Sequence, residues 1–213
     1  MSRTIQGAIV VLFLTTVSAF VPASAQTRLF TDTSEVQVVI EGPLGSLVRN
    51  AVRSTDPVPA VFTVSDAGSP QRFDIQLAAG GVSRRTGGIC TFPPLRLNFA
   101  GDAVRGTLMQ GQNKLKLVTR CRNGANYEQI TLLEYTAYRL YNEITPLSFR
   151  VRPARVTYRD TDGRRREDVQ FNFLIEDVDD LARRNGRRVE LEVVSNTVRS
   201  YELDGDVSAR YGL

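Results

Sequence analysis

Arg72-Phe73-Asp74-Ile75-Gln76-Leu77 alternates without a break, with Phe73, Ile75 and Leu77 on one face and Arg72, Asp74 and Gln76 on the other, before Gly80-Gly81 ends the run. Period two marks a strand with one buried and one wetted face, because successive side chains on a pleated chain point to opposite sides. The pattern recurs downstream, where Leu95, Leu97 and Phe99 alternate with Arg96 and Asn98, and Leu115 and Leu117 stand opposite Lys114 and Lys116. Upstream, Val36 to Ile40 and Val58 to Val64 are short β-branched runs, separated by Gly42, Pro43, Gly45 and then Thr55-Asp56-Pro57. Leu147 to Tyr158 and Val169 to Ile175 are strand-like and joined through Thr161-Asp162-Gly163, whose Asp-Gly favours a tight hairpin, so they are expected as an antiparallel pair. Val189 to Val194 reads as a last strand, and from Ser195 to Leu213 the pattern fades into polar chain.

One long helix interrupts the strands, from about Ala125 to Glu143. At 100° per residue, Leu133, Ala137, Tyr138, Leu140, Tyr141 and Ile144 fall in an arc of about 160° around Ile130, with Arg139, Asn142 and Glu143 opposite. Such an arc is expected to face a sheet, and Glu134 falls inside it. Glu176 to Gly186 reads as a short helix, acidic at its start, arginine-rich at its end and stopped by glycine. The expected architecture is therefore α+β, a mostly antiparallel sheet with one principal helix packed on it.

Composition narrows the chemistry. The 213 residues are 42% hydrophobic and 23% charged, an ordinary globular balance. With 27 basic against 23 acidic residues the surface is mixed, and nucleic-acid binding is not inferred from charge. There is no histidine, which removes histidine-dependent triads and the HExxH zinc helix, and two cysteines cannot build a four-ligand zinc site. Met1 to Ala25 matches a secretory signal peptide: Arg3, an apolar run from Ala8 to Val21, and Ala23-Ser24-Ala25 before Gln26. That run of about 14 residues is shorter than the roughly 20 needed to span a bilayer. The expectation is a periplasmic or secreted protein that does not span the membrane after cleavage, with one domain over 26–194 and a C-terminal segment over 195–213. In an oxidising compartment Cys90 and Cys121 are expected to pair as a disulfide. The rival reading, a catalytic thiol, lacks a histidine to lower its pKa.

A carboxylate on an apolar stripe needs a partner, and for Glu134 the candidates are Lys114 and Lys116. These are the only lysines in a chain whose other 25 of 27 basic residues are arginine, which suggests a site wanting a compact ammonium. The alternative is that Glu134 pairs with an arginine and the lysines are solvated. A strand lysine paired with a helix glutamate, behind a glycine-rich loop, is how protein kinases hold ATP phosphates. Gly80 to Gly88 precedes the lysine strand but fits neither GxGxxG nor the P-loop pattern, so it reads equally as a plain inter-strand loop. Arg164-Arg165-Arg166 and the group Arg183, Arg184, Arg187 and Arg188 could meet phosphates of lipid head groups or an acidic partner. Solvated faces of a hairpin turn and a helix end account for them more simply.

Three stretches carry a family resemblance: Pro94-Leu95-Arg96-Leu97-Asn98-Phe99, Gly111-Gln112-Asn113-Lys114-Leu115-Lys116-Leu117, and Leu133-Glu134-Tyr135-Thr136-Ala137-Tyr138-Arg139-Leu140. They resemble the amino-terminal lobe of CotH-like proteins, atypical kinases of the spore-coat protein H type, and the likeness continues through Ser148 to Tyr158 and Phe173-Leu174-Ile175-Glu176. It spans about Leu95 to Asp180, under half of the chain. The resemblance implies a kinase N-lobe-like fold, ATP with Mg²⁺ as cofactor, Lys114 (with Lys116 beside it) as the nucleotide-binding lysine, and Glu134 as its partner. It also implies that the catalytic and metal-binding aspartates belong to a second lobe. Asp160, Asp162, Asp179 and Asp180, in a turn and a helix's first turn, do not stand in for them, so no phosphotransfer is expected of this chain alone. The alternatives are a non-catalytic module binding an envelope or secreted partner or a glycan, and a truncated remnant.

Overall fold

A ring of seven strands cannot alternate in direction all the way round, and the strands of this chain do close into a ring. The computed structural model describes residues 28–66, 68–85, 88–187 and 189. The strands are β1 (Val36–Gly42), β2 (Val58–Ser65), β3 (Gln71–Ala79), β4 (Leu95–Phe99), β5 (Lys114–Val118), β6 (Val151–Asp160) and β7 (Asp168–Ile175). Among the described residues three α-helices accompany them: α1 (Leu44–Asn50), α2 (Ala125–Ile144) and α3 (Val178–Arg184). The barrel order is β1-β2-β3-β4-β5-β7-β6, antiparallel at every step except the last, where β1 runs parallel to β6 from Val36 opposite Ala154 to Gly42 opposite Asp160.

This corrects the expected fold class. The sequence reading expects a kinase N-lobe-like α+β fold with one principal helix on a mostly antiparallel sheet. The described residues form a closed, mixed seven-stranded barrel with three α-helices and the Cys90–Cys121 disulfide. Period-two patterning reports that each strand buries one face, but a face buried under a helix and a face curled inward on itself give the same alternation. The signal segment Met1 to Ala25, the strand expected over Val189 to Val194 beyond its first residue, and 195–213 lie outside the described residues.

The inward positions fill the barrel as the alternation requires. Val36, Val38, Ile40, Phe62, Ile75, Leu77, Leu95, Leu97, Leu115, Leu117, Val156 and Leu174 are all buried in one cluster. The Phe99 ring meets Phe62 and Phe73 edge-on, with centroids 5.3 and 5.9 Å away. One end is sealed by the β4–β5 connection, which buries Val104 and Met109, and by Leu29 of a short 3-10 helix, Arg28–Phe30.

A fully buried arginine holds that sealed end together. Arg152 donates from Nε to the Ser34 carbonyl (2.5 Å), from Nη1 to the Leu29 carbonyl (3.0 Å), and from Nη2 to Ser34 Oγ (3.0 Å) and Asp32 Oδ2 (3.2 Å). Both carbonyls belong to the segment entering β1, so Arg152 ties the start of the fold to β6.

Helix α2 carries the chain from β5 across β7 to β6, which explains why it lies on β7. It docks through Tyr135 and Tyr138, whose rings stand 5.7 and 5.8 Å from Phe173, with Tyr135 also 6.0 Å from Phe171. Asn142 anchors its far end, donating to Ser148 Oγ and the Phe149 carbonyl, both at 2.7 Å. Of the expected apolar arc only the Tyr138 edge docks, while its aliphatic members Ile130, Leu133, Leu140 and Ile144 are exposed. The helix sits about 100° round from that expectation, because the Tyr135 and Tyr138 rings cover Phe171 and Phe173. Among the described residues no helix is long and apolar enough to cross a membrane.

Two outcomes are expected. Arg152→Met leaves the Leu29 and Ser34 carbonyls without their donor and lowers stability by about 1–3 kcal/mol in urea unfolding, the usual cost of leaving a buried acceptor unsatisfied. Hydrogen bonds from the Ser34 backbone and side chain, with Arg152 nearby, hold the Asp32 carboxyl down at about 2. Its contribution is complete above the ordinary carboxylate value of about 4 and is lost as pH falls through about 2. Between those values Asp32→Asn loses less stability than the wild type.

Candidate functional site

The end of the barrel opposite Arg152 is open. There the β6–β7 hairpin, the chain leaving β1 and the chain leaving β5 surround a cavity of about 360 Å³. Tyr158 and Gln170 form its floor, Phe92 and Leu44 its wall, and Arg120, Arg164, Arg165 and Arg166 line it with Asp160, Glu167 and Asp168.

Local sequence fixes each part. Asp160, the last residue of β6, accepts from the amides of Gly45 (2.9 Å), Arg164 (2.8 Å), Arg165 (2.8 Å) and Asp162 (3.2 Å). Burial alone would raise this carboxyl, but the four amide bonds outweigh it and hold it below its ordinary value. Gly45 is required for the approach, since a Cβ there would stand 2.8 Å from Arg164 Cβ and 2.9 Å from Asp160 Oδ2. The hairpin is therefore clamped to α1, and its arginines are held over the opening. Arg165 lies over the Phe92 ring at 5.1 Å.

On the other side, the disulfide Cys90–Cys121 joins the β3–β4 connection to the chain after β5. The amides of Thr91 and Phe92 both donate to the Cys121 carbonyl, at 2.8 and 3.3 Å. This places Phe92 and Arg120 side by side. The expected disulfide is present, and it stands at the mouth.

The floor holds polar groups that the fold does not satisfy. Gln170 is 3% exposed; its Nε2 donates to Asp168 Oδ2 at 2.6 Å while its Oε1 is buried with no hydrogen-bond partner among the described residues. Arg120 reaches Asp168 at 3.4 Å and Glu128 at 3.7 Å, yet its Nε is likewise buried and unpartnered. One layer deeper, fully buried Asn172 donates to the Tyr158 hydroxyl at 2.9 Å and leaves its Oδ1 unpartnered. Burial pushes the Tyr158 phenol well above its ordinary value, with the Asp168 charge adding to the shift, so it stays protonated. A further such group, Gln112, lies in the connection that closes the opposite end.

The residues singled out from sequence are elsewhere. Lys114 and Lys116 stand on the outer face of β5: Lys114 Nζ is 3.7 Å from Asp179 Oδ2, and Lys116 lies 5.6 Å over the Phe149 ring. Glu134 is half-buried and accepts from Arg84 Nη2 at 2.7 Å. The expected Lys–Glu pairing is thus corrected in favour of an arginine from the glycine-rich loop. Sequence reasoning passed over Gln170 and Asn172, although both share the register of core Leu174 and so were legible as polar residues on a buried face. The Arg164-Arg165-Arg166 triplet was noticed, but nothing in the pattern placed it over a cavity.

Comparison with known proteins yields no matching family model and no matching curated protein.

Replacing both Cys90 and Cys121 by serine is expected to lower stability by on the order of 3 to 4 kcal/mol, the chain-entropy value for a loop of this size. Denaturant unfolding of the native and double-serine proteins measures it.

Proposed function

We propose that this chain is a non-catalytic binding domain of the periplasm or cell exterior, whose barrel mouth takes an anionic, hydroxyl-bearing ligand of the acidic saccharide class. The observation that carries the reading is the pairing of unsatisfied floor with unengaged rim. Gln170 Oε1 and Arg120 Nε are buried without partners, and above them the Arg164 and Arg166 guanidiniums make no ion pair among the described residues. Buried polar groups left unpaired in the free protein favour a ligand that supplies the missing bonds. Once the Gln170 and Arg120 side chains turn toward the cavity, a ligand hydroxyl can donate to Gln170 Oε1 and a ring oxygen can accept from Arg120, while a carboxylate or phosphate meets guanidinium forks whose geometry matches it. A cavity of about 360 Å³ suits a compact ligand of this kind.

Binding is favoured over turnover because the acids of the site are committed. Asp160 accepts four amide bonds, Asp168 Oδ2 accepts from Arg120 and Gln170, and Glu167 Oε2 accepts from Arg159 at 2.8 Å. The nucleotide-lobe reading has less support, since it sets Lys114 against Glu134, and those two groups are engaged by Asp179 and Arg84 instead. The disulfide is compatible with the periplasm or exterior, as the signal-like Met1 to Ala25 suggests.

Calorimetric titration with glucuronate, glucose and inorganic phosphate tests the proposal. Glucuronate is expected to bind more tightly than either control, and Arg164→Ala with Arg166→Ala to weaken it about tenfold or more. Gln170→Leu is expected to do the same while leaving phosphate unaffected. No glucuronate binding at millimolar concentration, or binding indifferent to these substitutions, would contradict it.

A further inference from the structure

The exposed face of α2 has an order that barrel packing does not require. Ile130, Leu133, Ala137, Leu140 and Ile144 are spaced three, four, three and four residues apart, the spacing of a helix-pairing seam. All five are exposed: the branched residues are 54%, 68%, 62% and 75% exposed in chain order, and Ala137 lies between them. The helix meets the barrel through Tyr135 and Tyr138, so the seam faces away from its own domain.

The seam is also nearly palindromic. Read from either end it runs isoleucine, leucine, alanine, leucine, isoleucine, with the smallest side chain in the middle. A two-fold interface pairs residue i with j and j with i, so a surface that reads alike in both directions is self-complementary. We infer that α2 is the interface of a homodimer, packed antiparallel against α2 of a second copy with the two-fold axis at Ala137. Ile130 then meets the partner's Ile144, Leu133 meets the partner's Leu140, and the two alanines let the helices approach closely.

The flanks agree in charge. Along one side Gln129 faces the partner's Glu143 and Thr136 faces the partner's Thr136; along the other Glu134 faces the partner's Tyr141. No like charges meet. The apolar surface covered, with the methylenes beside it, comes to roughly 1,000 Å² over both copies, the lower end for a specific interface. A weak, concentration-dependent dimer is expected, and it does not depend on the ligand site at the barrel mouth.

Light scattering across a concentration series, on the full chain, is expected to show reversible dimerisation. Leu133→Glu is expected to weaken it at least about a hundredfold without lowering the melting temperature, since the position is exposed. Because Cys90 and Cys121 are paired, Ala137→Cys introduces a single thiol. A short bismaleimide is expected to join two such chains far faster than two chains carrying Val52→Cys, an exposed residue on another face. A monomer at every concentration would overturn the inference. So would a dimer indifferent to Leu133→Glu, or equal cross-linking at both cysteine positions. A monomer that dimerises only when residues 190–213 are removed would assign the seam to the chain's own segment and overturn it as well.

Discussion

The parallel ladder between β1 and β6 is the constraint on which the rest of this structure depends. Seven strands can form a ring only if at least one neighbouring pair runs parallel, and this is that pair. Were it absent, β1 and β6 would be two open edges, each presenting a row of unpaired backbone groups. With it formed, the inward side chains of all seven strands enclose one another and Arg152 is sealed from water. The cost of burying that guanidinium is met by two backbone carbonyls and a carboxylate that lie within reach only because the segment before β1 crosses the barrel end.

The same ladder sets up the mouth. It ends at Gly42 opposite Asp160, so the chain that turns into α1 leaves the barrel beside the β6–β7 hairpin. Gly45 can then donate its amide to Asp160, and the hairpin becomes a clamped rim rather than a free tip. The disulfide braces the opposite side, beside Phe92 and Arg120. Between these supports, β7 contributes Asp168, Gln170 and Asn172 at the register that deeper in the barrel belongs to Leu174. The strand passes from apolar to polar as it nears the opening, and that change turns an end of the barrel into a site.

Much of this was legible in the sequence, and the rest failed for identifiable reasons. The alternation of Phe73, Ile75 and Leu77, and of Leu95, Leu97 and Phe99, gave strands in the right places because period two is a local property. The Asp162-Gly163 turn likewise gave the β6–β7 pair, and α2 falls within a residue of its expected span. Closure was not legible, since the partners Val36 and Ala154 are far apart in the chain and nothing local marks them. Helix α1 was hidden by Gly42, Pro43 and Gly45, read as breakers although Gly45 serves a close contact. The face of α2 was misassigned because its aliphatic stripe is the stronger signal, whereas tyrosines make the contact with β7. Glu134 was rightly expected to need a cation, but the loop that brings Arg84 to it could not be placed from pattern alone.

The central claim is that the barrel mouth, and not the outer face carrying Lys114, Lys116 and Glu134, is where this protein meets its ligand. Nuclear magnetic resonance of side-chain amide and guanidinium N–H groups during a glucuronate titration tests it most directly. The account predicts saturable shifts at the Gln170 carboxamide and at the Nε–H of Arg120 and Arg164, with the Arg84 guanidinium unmoved. Shifts confined to Arg84 and the β5 lysine face, or none at the mouth, would contradict it.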